Sequence, residues 1–256
     1  MNSKQVQSIW QQCNGDRHFR QLKLKLYRLV ESQEQVATLG YVDNLEEQAL
    51  LEQLLEQNKP PLIDGCEQLH YLLSTPFRYP PLQWGSRFGQ VHERSIFYAA
   101  CDQSSCLSES AYYRFVFLFS MQGGLGELAN VRSEHSMFSV NIATKRGIAL
   151  ELEPFSQHEA DLAHPSDYSS SQALGTAMRA SEVQAFTYIS ARSKERGRCA
   201  GLFTPSPFTS KKPAGTSSWI CELNNSEVKF KQLGETKLWR FPLCDFLIDG
   251  QFPSPA

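Results

Sequence analysis

Leucines at positions 22, 24 and 26 alternate with lysines at 23 and 25, and Tyr27-Arg28-Leu29-Val30 continues the run. That two-residue period predicts a strand. Further along the period changes. From Asn44 to Gln57, leucines at 45, 50, 51, 54 and 55 sit among Glu and Gln. This predicts an amphipathic helix capped by Asn44 and stopped by Pro60-Pro61. Both periods occur in one chain without the regular strand–helix alternation of a doubly wound protein, so the expected class is α+β.

The remaining elements follow the same reading. Residues 1–20 form an amphipathic lead-in anchored by Ile9, Trp10 and Phe19, and residues 66–74 a second short helix ahead of the proline-rich Thr75–Pro81 stretch. Ile96–Ala100 is a strand. A helix from about Ser105 to Phe119 keeps apolar residues at 107, 111, 115, 118 and 119 and ends at Gly123-Gly-Leu-Gly126. Segments 136–143 and 147–152 read as two strands joined around Lys145–Gly147. A polar region at Ala163–Ser171 leads into a helix over Gln172–Ala180, then strands at Val183–Ile189 and Cys199–Phe203, and two or three antiparallel strands end in Trp239–Phe246. The expected architecture is one domain with a mixed, mainly antiparallel central sheet and flanking helices.

Composition excludes several function classes. A net charge of −2, with 20% charged residues, gives no footprint for direct nucleic-acid binding. No apolar run reaches the roughly 18 residues of a membrane span, and the N-terminus is polar, so a cytoplasmic protein is expected. The seven cysteines, at 13, 66, 101, 106, 199, 221 and 244, form no CxxC pair. Neither they nor His92, His135, His158 and His164 have metal spacing, so no metal site is expected.

Three residues carry the chemistry. Arg87 lies in the glycine-framed turn Gly85-Ser-Arg-Phe-Gly89, Tyr98 on the strand Ile96–Ala100, and Glu109 in the expected first turn of the 105–119 helix. Each has a plainer role available: a solvated turn, core packing and a dipole partner, respectively. Arg28 on the first strand needs a buried partner or a ligand. Ser190 closes the strand Val183–Ile189. Arg192, Lys194, Arg196 and Arg198 recur every second residue, which marks a solvated strand face or a phosphate site. An anion grip, an aromatic platform and one carboxylate suit a substrate with both phosphate and a cationic ring, and nicotinamide dinucleotide (NAD) is one. A non-catalytic nucleotide-binding or interaction protein would use the same cleft. A Cys-dependent hydrolase lacks a credible Cys–His pairing.

The order and spacing of Leu26-Tyr-Arg-Leu-Val-Glu31, Pro76-Phe-Arg-Tyr-Pro80, Gly85-Ser-Arg-Phe-Gly89, Phe97-Tyr-Ala99, Ser108-Glu-Ser-Ala-Tyr-Tyr113 and Tyr188-Ile-Ser-Ala-Arg192 resemble the RES-domain family across most of residues 23–210. The resemblance implies a core similar to ADP-ribosyltransferases. It also implies an NAD-consuming toxin, acting by hydrolysis, phosphorolysis or ADP-ribosyl transfer, paired with an Xre-like antitoxin. NAD would then be substrate rather than cofactor, and self-association stays open. The family's roles carry over to Arg28, Arg87, Tyr98, Glu109 and Ser190. Core elements would be about 23–31 and 76–210, with a helical insertion at about 44–75 and a C-terminal β extension at about 211–256.

Overall fold

A computed structural model describes residues 8–32, 41–121 and 130–254. The first seven residues of the lead-in and the Gly123–Gly126 stop fall outside the described residues. Helix α1 (Ile9–Gln12), strand β1 (Arg20–Glu31), helices α2 (Leu45–Gln57) and α3 (Tyr71–Arg78), strand β2 (Phe97–Ala100) and helix α4 (Gln103–Ser120) make up the first half. Strand β3 (Val131–Ala149), helices α5 (Glu159–Leu162) and α6 (Ser169–Ala180), and strands β4 (Ala185–Ile189), β5 (Arg198–Leu202), β6 (Gly215–Leu223), β7 (Glu227–Gln232) and β8 (Leu238–Pro242) follow.

All eight strands join one sheet in the order β1-β2-β5-β4-β3-β6-β7-β8, and β1 also pairs with β3. The first five strands in that order therefore close on themselves, and β6–β8 extend from β3 as an antiparallel ribbon. Only the β3–β4 pairing is parallel. The α+β class with a mixed, mainly antiparallel sheet is what the sequence predicts.

Two layers cover the sheet. On one side α4 buries Leu107, Ala111, Phe115 and Leu118, a stripe at helical spacing, and packs on β1, β2, β5 and β7. On the other, Leu73 and Phe77 of α3 pack with Leu22, Leu26 and Phe97. Period-two alternation sends neighbouring residues of a strand to opposite layers. Phe97 is accordingly fully buried beside α3, while Tyr98 packs toward α4.

Some boundaries differ from expectation. Residues 145–147 do not turn. Gly147 pairs with Arg20 on one edge and Ala185 on the other, so both ladders hold the segment extended and 136–149 is one strand. The second helix runs over 71–78 rather than 66–74, because the His70 Nδ1 caps it by accepting from the Leu72 N–H at 3.3 Å. Pro76 lies inside it; the burial of Leu73 and Phe77 outweighs the backbone bond that proline cannot make. Residues 192–197 form a loop, so the alternating cations there make no strand face. Arg192 is buried, while Lys194, Arg196 and Arg198 pair with Asp245, Glu159 and Glu151.

Candidate active site

Helix α4 begins earlier than its apolar pattern suggests. Asp102 caps it, its Oδ1 accepting from the Ser105 N–H at 2.7 Å and its Oδ2 from the Ser105 hydroxyl at 2.8 Å. Glu109 is therefore the seventh residue of the helix, not a first-turn residue. The helix dipole fades within the first turn and does not explain it. Its carboxylate instead turns into a cleft of about 600 Å³, whose walls include Arg28, Arg87, Tyr98, Tyr113 and Tyr168.

Ser190 holds that carboxylate. The Ser190 hydroxyl accepts from the backbone N–H groups of Arg192 (3.1 Å) and Ser193 (3.0 Å), which fixes its proton toward Glu109 Oε1 at 2.5 Å. Ser190 therefore orients Glu109. Cys199 sits on the same oxygen, its Sγ 4.0 Å away. Burial beside Glu109 raises the Cys199 thiol well above its ordinary value, so it stays protonated.

Arg87 is not a solvated turn residue. It is 8% exposed, its Nη1 donates to the carbonyls of His164 (2.7 Å) and Leu162 (3.3 Å), and its guanidinium carbon lies 4.6 Å from the Tyr168 ring centroid. Burial alone would lower its pKa, but Tyr168 and Glu109 beside it leave it raised. The turn carrying it is tightly specified. Gly85 has φ +74°, and a Cβ there would stand 2.4 Å from the Gly89 carbonyl oxygen. Gly175 of α6 lets the Phe88 backbone approach so closely that a Cβ would fall 1.9 Å from its carbonyl oxygen.

Tyr98 is tied to the same turn. Its hydroxyl accepts from the Phe88 N–H and shares a hydrogen bond with Ser86 Oγ, both at 3.0 Å. Burial pushes the phenol up to about 12, with the Ser86 and Phe88 bonds working against it. Its ring stands edge-on to Tyr188, with centroids 6.4 Å apart. Arg28 lies on the other side of Tyr98, donating from Nη1 to its carbonyl at 2.5 Å, with its guanidinium carbon 5.2 Å from the Phe97 ring centroid. Burial lowers its pKa, partly offset by Cys106 and Tyr113.

The structure thus brings Arg28, Arg87, Tyr98 and Glu109 to one cleft, with Ser190 buried behind Glu109 rather than on the wall, and it adds others. Tyr113, one turn beyond Glu109 on α4, is half exposed at the cleft mouth; an i, i+4 search from Glu109 would have found it. Arg192 donates to the Pro165 carbonyl at 2.5 Å and to the Tyr168 hydroxyl at 3.2 Å, bracing the residue on which Arg87 rests. Nothing local in the sequence marks Tyr168. Four arginines and two glutamates line the cleft of a chain whose net charge is −2, so anionic ligands are favoured there. Among the described residues no group of three or more His, Cys, Asp or Glu could hold a metal ion. No described helix is long and apolar enough to cross a membrane.

Fold and cleft together define a mixed α+β protein with an arginine-lined pocket in which one carboxylate, Glu109, is fixed by a buried serine. The family model of the RES domain matches residues 62–224, well over half of the chain, and the chain belongs to that family. Among solved structures it is similar to the M. tuberculosis MbcT–MbcA toxin–antitoxin complex, with 13% identity over 75% of this chain and 79% of that chain and a TM-score of 0.42. None of the curated proteins matches it in sequence.

Proposed function

We propose that the cleft binds NAD and breaks the nicotinamide–ribose bond, and that the protein is the toxin of a toxin–antitoxin pair. The single supporting observation is the Glu109 carboxylate, fixed by Ser190 in an arginine-lined cleft whose other lining carboxylate is Glu31 of β1. Most glycosidases need an acid for the leaving oxygen as well as a second carboxylate. Nicotinamide needs no such acid, because its ring nitrogen is already cationic and takes the bonding electron pair as it leaves neutral. What remains is the positive charge developing on the ribose, which a fixed carboxylate stabilises. Water, phosphate or a protein side chain then bonds to the anomeric carbon and loses its proton.

Tyr98 and Tyr113 offer aromatic faces for the ring, and the arginines offer donors for the phosphates. Membership of the RES family supports the toxin role. A free enzyme that destroys NAD would harm its own cell, so an Xre-like partner protein that blocks the cleft completes the reading. Purified protein incubated with NAD should release nicotinamide, with product analysis in the presence and absence of phosphate identifying the acceptor. Expression alone should stop bacterial growth and lower cellular NAD, and co-expression of the partner should restore both. Soluble, folded protein that leaves NAD intact would sink the proposal and leave a nucleotide-binding module in its place.

A further inference from the structure

We infer that Arg114, together with Arg28, is the phosphate grip of the cleft and holds the diphosphate of a dinucleotide; this rests on the nucleotide reading given above. The four cleft arginines are not equivalent. Arg87 and Arg192 are each tied to backbone carbonyls and to Tyr168, and so serve as braces. Arg28 and Arg114 form no ion pair with any described residue, and both keep a buried Nε–H with no acceptor, although the Arg114 guanidinium also lies within hydrogen-bond reach of the Cys221 thiol. Buried donors are seldom left unmatched, because their desolvation is uncompensated. Two of them in one cleft point to a ligand that supplies oxygens.

The geometry suits phosphate. Each guanidinium lies over a phenyl ring, Arg28 at 5.2 Å from Phe97 and Arg114 at 5.1 Å from Phe117, which leaves edge N–H groups for acceptors outside the ring contact. Arg114 lies five residues beyond Glu109 on α4, an axial rise of about 7.5 Å. That is roughly the reach from the anomeric carbon of a nucleotide, across one ribose, to its phosphates. The other titratable groups around the two arginines are Cys106 and Tyr113 beside Arg28, and His135, Glu31 and Cys221 toward Arg114. His135 is uncharged near neutrality, because burial and the neighbouring Arg114 push its pKa down to about 4. Burial pushes the Cys221 thiol up to about 11, Arg114 and Ser133 opposing the rise. Glu31 is the only carboxylate among the lining residues at this end and belongs to the side of β1 that carries Leu29.

The test titrates the full chain with ADP-ribose and with inorganic pyrophosphate by calorimetry. Wild type should bind both. Arg114→Ala should weaken both by about tenfold or more, the loss expected for charge-assisted hydrogen bonds. Arg114→Lys should fall between them, keeping the charge but not the fork. Arg114→Gln serves as the second variant if Arg114→Ala proves unfolded by circular dichroism. Wild-type binding of neither probe, or equal affinity in a folded variant, overturns the assignment. Nicotinamide release separates this inference from the cleavage reading. Probe binding that needs Arg114 without any release keeps the grip and removes the cleavage. Release with the same KM in wild type and variant does the reverse.

Discussion

The cleft and the β6–β8 ribbon both abound in polar side chains, yet they use them in opposite ways. In the ribbon, Glu222 and Glu227 pair with Arg132, Lys229 and Arg240 on or beside the same hairpins. Solvent screens these pairs, and they contribute little. In the cleft, partners lie far apart in sequence and are buried. Ser190 meets Glu109, Ser171 donates to the Arg87 carbonyl at 2.5 Å, and Ser108 donates to the Arg192 carbonyl at 2.6 Å. Burial makes each of those bonds costly to break, since the orphaned group cannot turn to water. A chain carries such a network only where geometry matters, and the ribbon shows what its polar residues do where it does not.

The sharpest way to break that contrast is Glu109→Gln. The amide keeps the shape and removes only the charge, so nicotinamide release should fall by about 10²-fold or more while the melting temperature holds. Wild-type turnover by the folded variant would mean that the buried network serves stability alone.

Next comes His135, whose folded pKa of about 4 lies below its unfolded value. Between pH 6.5 and 4 the unfolded chain takes up a proton that the folded chain refuses, so stability drops as pH falls through this window and levels off below it. The loss should be on the order of 3 kcal/mol. Melting measured across that range should show His135→Gln with the shallower slope, and parallel curves would contradict the assignment.

Ser190→Ala removes the donor that fixes the carboxylate. A hydrogen bond to a charged group at this site should be worth about tenfold or more in kcat. The KM should change less, because the variant leaves the arginines untouched. An unchanged kcat would make Ser190 a loop anchor through its bonds to Arg192 and Ser193, and nothing more.

These contrasts also explain what the sequence could disclose. Period-two and helical patterns are local, so β1, α2, the α4 stripe and the C-terminal strands are all legible in it. The α2 cap is legible too: Asn44 Oδ1 accepts from the Glu47 N–H at 2.9 Å. The start of α4 is not, because Gln103 and Ser104 carry no apolar signal and only the Asp102 cap sets it. Nor is the continuity of β3, which depends on strands on both of its edges. Of the site, Arg28, Arg87, Tyr98, Glu109 and Ser190 were readable as residue types in suggestive places. Their burial was not. Whether Arg87 is a solvated turn or a brace depends on Tyr168, 81 positions away, and on Gly175, which lets α6 press against the turn.

The smallest effect is expected in the ribbon. Glu227→Gln removes ion pairs to Lys229 at 2.9 Å and to Arg240 at 3.0 Å, the most connected carboxylate on that hairpin together with Glu222. Arg240 stands in solvent, Glu227 and Lys229 sit half-buried at the surface, and each long side chain gives up rotamer freedom to pair. The melting temperature should therefore fall by no more than about 3 °C, and 0.5 M salt should erase most of the difference, being a concentration at which exposed charges are heavily screened. Nicotinamide release should not change, because β7 contributes nothing to the cleft walls. A larger, salt-insensitive loss would show that the ribbon's charges are held as firmly as those of the cleft. The contrast drawn between the two regions would then rest on exposure alone.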